Sequence, residues 1–211
     1  HYSMKVLFVV PEIRLDMAPT NFPFWAGILA SIVEQKNGQV AILDLNAIRM
    51  NYGNKQVPSE VIIDAIKSEK WDMIGIGGLT TTYSRIKELA PIIRKHSTDS
   101  LFVGGGGWST YNPDEILELV PELDMICIGE GEETFAELYD EAKNGRDFEK
   151  VAGLCLRDKN GFKFTAPRAL ISDLDKVPYP SYDLIETDIY FRYSSLPYSV
   201  ESFNSKKRAS V

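Results

Sequence analysis

Four clusters along the chain have residue types suited to meeting a ligand. Gly104-Gly105-Gly106-Gly107 is followed by Trp108-Ser109-Thr110. Each glycine costs about 0.5–1 kcal/mol of chain entropy against alanine. Four in a row suit a place where a flat or bulky ligand lies on bare backbone and any Cβ would collide with it. A second cluster, Leu79-Thr80-Thr81-Thr82, follows Gly77-Gly78. One hydroxyl suffices to cap a helix, so three beside its unpaired amides point to ligand contact. The third is Gly129-Glu130-Gly131, before Glu132-Glu133-Thr134-Phe135. Acidity at a helix start follows from the macrodipole alone. Glu130, flanked by two glycines, is the carboxylate placed to accept hydrogen bonds from ligand amides or hydroxyls. The fourth is Pro11-Glu12-Ile13-Arg14-Leu15-Asp16, opening a loop that runs to Pro23. That exceeds the usual two to six residues of such a connection and favours a functional loop.

What the sequence lacks narrows the chemistry. No glycine precedes Gly27, so the dinucleotide fingerprint G-x-G-x-x-G has no place after the first strand, and no Gly-Lys-Ser/Thr makes a phosphate-cradling loop. Paired-carboxylate hydrolysis would need a second acidic strand end, and only Glu12 and Asp16 supply one. His96, the one histidine besides His1, falls at the far end of a helix and suits a helix C-terminus rather than catalysis. Cys127 and Cys155 are too few for a disulfide scaffold or a Cys-rich metal site and read as core. No nucleophile–base pair emerges. On these residues the chain binds something, with no evident means of transforming it.

Regular elements must bring these clusters together. Apolar, β-branched runs at 5–11, 39–45, 73–79, 100–105 and 125–129 are nearly unbroken, as strands covered on both faces are. Between them lie helical periodicities, such as Ile86, Leu89, Ala90 and Ile93, or Phe135, Leu138, Tyr139 and Ala142. Pro58 and Pro113 suit first helical positions, and Asn112 with Glu115 suggests a capping box. Five strand–helix repeats predict an α/β fold: a flavodoxin- or Rossmann-like, doubly wound, five-stranded parallel sheet in the order 2-1-3-4-5. Ligands of such sheets bind at the carboxyl ends of the strands, where all four clusters fall. Residues 1–3 read as an expression leader, 4–150 as the α/β domain and 151–175 as a C-terminal β-hairpin extension around a Lys-Asn-Gly turn. Residues 176–211 read as an extended, proline-punctuated linker leading into a further domain.

Composition sets outer bounds. The 211 residues are 44% hydrophobic and 25% charged, ordinary for a globular protein. The net charge of −7 and pI near 5.0 argue against nucleic acid, which wants a basic face. No apolar run approaches the roughly 20 residues of a membrane span. No signal peptide is recognisable. A cytoplasmic protein with no nucleic-acid or membrane partner is expected.

Taken in order, Lys5–Pro11 (KVLFVVP), Ile74–Thr80 (IGIGGLT), Val103–Trp108 (VGGGGW) and Gly129–Phe135 (GEGEETF) resemble the cobalamin-binding domain of cobalamin-dependent radical S-adenosylmethionine enzymes. Val177–Asp183 (VPYPSYD) is similar to that family's junction with the radical domain, and the resemblance spans residues 4–190. It implies cobalamin over the carboxyl edge of the sheet, its nucleotide tail running between sheet and helices. The tail would pass Leu79–Thr82 and Gly104–Gly107, with Glu130 and its neighbours on the far side and the Pro11–Arg14 loop near cobalt. In the parent, methyl transfer or related radical chemistry is implied, with the radical domain of the same chain as partner. Two departures matter. Where methionine synthase and the mutases carry D-x-H-x-x-G, this chain has Glu12-Ile13-Arg14-Leu15-Asp16 and no histidine. The lower face is then unligated by imidazole, with Arg14 or a water near cobalt. The C-x-x-x-C-x-x-C motif is also absent, so the 4Fe-4S cluster and S-adenosylmethionine are expected only in a separate catalytic half from which this part has been cut. The alternatives are a flavodoxin-like module for a flavin, a nucleotide or a protein partner, and the same fold with its cofactor site lost.

Overall fold

A computed structural model describes residues 3–193. The five apolar runs form strands β1 (Lys5–Val10), β2 (Gln39–Asp44), β3 (Met73–Gly78), β4 (Leu101–Gly106) and β5 (Met125–Cys127). They pair in parallel in the order β2-β1-β3-β4-β5, as the strand–helix rhythm predicts. The hairpin strands β6 (Leu154–Asp158) and β7 (Gly161–Phe164) are not separate from this sheet. They extend it antiparallel to β5, giving seven strands, not five. An unpaired β5 edge would expose a row of amides and carbonyls, and the hairpin covers it.

Seven α-helices, with short 3₁₀ turns between elements, complete the described fold: α1 (Phe24–Gln35), α2 (Leu45–Ile48), α3 (Ser59–Lys67), α4 (Tyr83–His96), α5 (Pro113–Leu119), α6 (Gly131–Asn144) and α7 (Thr187–Tyr193). Strand side chains alternate between two apolar layers. Leu7, Val9, Ile74 and Ile76 pack with α3, α4 and α5, whereas Val6, Phe8, Met73 and Val103 pack with α1 and α6. Both faces are covered, which is why the runs are continuous rather than alternating. Ile86, Leu89, Ala90 and Ile93 are buried on α4, and Phe135, Leu138 and Tyr139 on α6. Pro113 opens α5, but Pro58 stands one residue before α3. Asn112 does not cap the backbone of α5; its amide donates to Glu115 Oε2 at 3.3 Å.

The proline-rich segment lies along α1. Ser181 N donates to Gly27 O at 3.0 Å, and Gly27 must lack a Cβ, which would stand 2.7 Å from Pro180 Cβ. The chain then turns into α7, where Tyr190 is buried and its hydroxyl donates to Asp44 Oδ2 at 2.7 Å. The basic run at 206–208 lies outside the described residues.

Candidate functional site

The site begins with the alternation of β3 and β4 at the centre of the sheet. Gly77 pairs with Gly105, and Gly78 with Gly106. Period-two alternation turns Gly75, Gly77 and Gly105 toward α1 and α6. On that face the Phe8 ring lies against Gly75 and the Trp25 ring against Gly77, where a Cβ would stand 2.8 and 2.9 Å from ring carbons. Gly105 is uncovered: its nearest neighbour is Cys127 Cβ, 3.6 Å from where a Cβ would sit. The result is a cleft of about 220 Å³ between sheet and helices, walled by Phe8, Trp25, Leu29 and Phe135. Gly129, Glu130, Gly131 and Glu132 border it where β5 turns into α6.

A broader hollow of about 470 Å³ lies over the carboxyl ends of β1, β3 and β4, bordered by Pro11, Ile13, Phe22, Leu79 and Gly107. Trp25, Gly77 and Gly106 line both spaces, so the hollow leads into the cleft. Basin and cleft together suit a ligand with a broad head and a narrow tail.

The glycine run serves three purposes. Gly104 faces the other layer, where a Cβ would press tightly on Trp108 and Leu123 (3.1 and 3.2 Å). Gly106 has φ +101°, and a Cβ there would stand 2.6 Å from Gly78 O. Gly105 alone opens on free space in the cleft, while Gly107 is unobstructed beside the basin.

Of the residues singled out from sequence, Pro11, Ile13, Leu79, Gly106 and Gly107 border the basin. Gly104, Gly105, Gly129, Glu130 and Gly131 border the cleft. The others have different partners. Glu12 is buried and accepts from Arg85 Nε and from Val57 N, both at 2.8 Å, which ties the loop to α4. Arg14 is exposed with φ +51°, and its carbonyl accepts from Arg49 Nη1 at 2.9 Å. The Thr82 hydroxyl donates to Leu79 O at 2.7 Å, an ordinary turn bond, while Thr80 and Thr81 are exposed and border neither space. Trp108 lies in the opposite layer and donates from Nε1 to Gly105 O at 2.7 Å, holding the strand from behind. Sequence reasoning named Gly77 among the small residues after the third strand but missed Phe8, Trp25, Phe135, Glu132 and the pairing of Gly75 with Gly77 on one face. Glycines at alternate positions of a strand were the available signal for that pair, since they mark close approach to one face. The aromatics carry no such mark and read as core.

The loop over β1 is fixed from beneath. Arg49 is fully buried and its guanidinium donates to the carbonyls of Arg14, Met17 and Asn46. Asn46 Oδ1 accepts from Ile13 N at 3.0 Å. Behind it, burial pushes the Asp44 carboxyl up to about 6 despite the Tyr190 hydrogen bond. In the cleft, burial pushes the Cys127 thiol up to about 12, so it presents a neutral thiol rather than a thiolate. Among the described residues no three His, Cys, Asp or Glu side chains gather to hold a metal ion, and His96 ends α4.

A family described as the B12 binding domain matches residues 14–139, more than half of the chain. The chain belongs to the B12-binding domain family. Solved structures place this B12-binding domain in the same fold as two larger proteins. OxsB, a cobalamin-dependent S-adenosylmethionine radical enzyme solved with aqua-cobalamin, aligns at TM-score 0.72 and 21% identity, over 86% of this chain and 24% of that one. TsrM from Kitasatospora setae, a radical S-adenosylmethionine methyltransferase solved with cobalamin and a [4Fe-4S] cluster, aligns at TM-score 0.65 and 21% identity, over 88% and 34%. Among curated proteins, the uncharacterized methyltransferase PH0819 of Pyrococcus horikoshii is 30% identical over 201 residues, covering 93% of this chain and 42% of that protein. The domain spans less than half the length of these relatives.

The residues present fit the cofactor that the family binds. A side chain at Gly105 would enter the cleft, the walls are aromatic and aliphatic, and the buried Glu132 Oε2 has no hydrogen-bond partner.

Proposed function

We propose that this domain holds cobalamin with the corrin in the basin over the strand ends and the nucleotide tail in the cleft between the sheet and helices α1 and α6. The observation that carries this is Gly105, bare backbone facing free space between aromatic walls where an ordinary core would place a side chain. Trp25 stands where basin and cleft meet and borders both parts of the ligand. Phe8, Leu29 and Phe135 exclude water from the tail. The loop from Pro11, held by Glu12, Arg49 and Asn46, forms the wall of the basin and brings no histidine to cobalt, so the lower face has no imidazole ligand from this chain. Bound cobalamin supplies methyl transfer or related radical chemistry to a catalytic half of the same parent chain, which carries the iron–sulfur cluster and S-adenosylmethionine. Two buried, unpaired cysteines accord with a cytoplasmic location, and no described helix is long and apolar enough to cross a membrane.

The test is retention of hydroxocobalamin by the 211-residue chain through desalting, read by absorption spectroscopy, with flavin mononucleotide in parallel. Retained cobalamin whose spectrum lacks nitrogen ligation is expected. Retention of flavin alone, or of neither, overturns the reading.

A further inference from the structure

Of the four acidic residues from Glu130 to Glu137, three have protein partners. Glu130 Oε2 accepts from Ile171 N at 2.7 Å, and Glu133 accepts from Arg168 Nη1 at 3.3 Å. Arg168 also pairs with Glu137, one turn further on. The fourth is different. Glu132 borders the cleft, and its Oε2 is buried with no hydrogen-bond partner. Leaving a buried acceptor unmade is costly, and such a group in a cavity wall is explained when a ligand brings the donor.

The chemistry of the acceptor restricts that ligand. A carboxylate accepts and repels phosphate. It therefore needs a hydroxyl or an N–H; the rest of the cleft is apolar side chain, glycine backbone, the Cys127 thiol and Glu130, whose Oε2 already accepts from Ile171 N. On the nucleotide arm of a cobamide the phosphate has no donor to offer and the dimethylbenzimidazole carries no N–H, while the linker amide and the corrin amides are shared with cobinamide. The ribose hydroxyls are the donors that a complete cobamide has and a corrinoid lacking the nucleotide does not.

We propose that Glu132 is a specificity residue of the cleft, accepting a hydrogen bond from a ribose hydroxyl and so selecting complete cobamides over cobinamide. This rests on the cobalamin reading and adds to it a role for the one cleft carboxylate whose buried oxygen has no protein donor. Glu132 is only partly buried as a residue and stands in the first turn of α6, so replacing it leaves the packed face of the helix, Phe135, Leu138 and Tyr139, untouched.

The experiment is an absorbance titration of the wild-type chain, Glu132→Leu and Glu132→Gln with hydroxocobalamin and, separately, with dicyanocobinamide, with melting temperatures alongside. Wild type is expected to bind cobalamin more tightly than cobinamide. Glu132→Leu weakens cobalamin about 10- to 100-fold, the range of one charge-assisted hydrogen bond, and leaves cobinamide unchanged. Glu132→Gln keeps a carbonyl acceptor and recovers part of the loss. Equal weakening of both corrinoids, or cobalamin affinity unchanged in Glu132→Leu, overturns the assignment while the cleft reading stands. If wild type binds neither corrinoid, the cobalamin reading itself falls.

Discussion

Gly105→Leu separates binding from folding at this site. Gly105 is absent from the positive-φ glycines, so a side chain is conformationally allowed, and its Cβ would make an ordinary 3.6 Å contact with Cys127. The rest of the leucine enters a cleft of about 220 Å³ with apolar walls. Burying it there contributes roughly 1.5–3 kcal/mol, and removing a glycine from a strand adds about 0.5–1 kcal/mol. The variant is therefore expected to melt no lower than wild type. A ligand tail must displace that side chain and forfeit its burial. An opposing 1.5–3 kcal/mol corresponds to a loss of roughly 10- to 150-fold in affinity, and rigid overlap with the tail adds to it. The assay is hydroxocobalamin titration beside thermal unfolding. Neighbouring glycines are poor substitutes: Gly106→Ala would force a Cβ to 2.6 Å from Gly78 O at φ +101°, and a side chain at Gly104 would press on Trp108 in the opposite layer rather than enter the cleft. Loss of binding in either would report a damaged fold. Wild-type affinity in a folded Gly105→Leu would refute the placement of the tail.

Two further predictions concern the buried cluster behind the basin. Tyr190→Phe removes the donor to Asp44 and leaves a buried carboxylate short of a partner, so it should lower stability by about 1–3 kcal/mol in urea unfolding; an unchanged midpoint would count against the packing of α7 described here. Asp44, raised by burial from 3.8 to about 6, is held more easily in its protonated form in the folded chain. Its contribution to stability is fully present below pH 3.8, declines as pH rises through 6 and is lost above. The stability of wild type relative to Asp44→Asn should accordingly fall by up to about 3 kcal/mol across that window; a difference independent of pH would show that the carboxyl is not desolvated.

Much of the fold is legible in the sequence because a strand buried on both faces leaves an unbroken apolar run, and five such runs with helices between them admit few topologies. The union of the hairpin with the main sheet is not legible. Edge pairing between β5 and β6 rests on backbone groups that every residue shares. At the site, the strand-end rule located Gly105 and the 129–131 turn. It did not distinguish Thr82, whose hydroxyl closes its own turn, from a threonine that meets a ligand, since both look alike in sequence. Glu12 reads as a ligand-facing carboxylate until its partner Arg85, 73 positions away, is brought beside it. The partner of Glu130 is hidden for a similar reason. The N-cap residue Glu130 takes the backbone amide of Ile171, a distant contact, whereas the buried Oε2 of Glu132, two places on, has no protein partner. Trp25, at the start of α1, gives no local sign that it covers a glycine on β3.

Diffraction from crystals of the 211-residue chain grown with hydroxocobalamin would locate the nucleotide directly. The predicted result is density for the nucleotide between β3, β4, α1 and α6, in contact with the Gly105 backbone, with the corrin over Pro11, Leu79 and Gly107. A corrin bound elsewhere on the surface with the cleft unchanged, or a nucleotide lying outside the cleft, would contradict it.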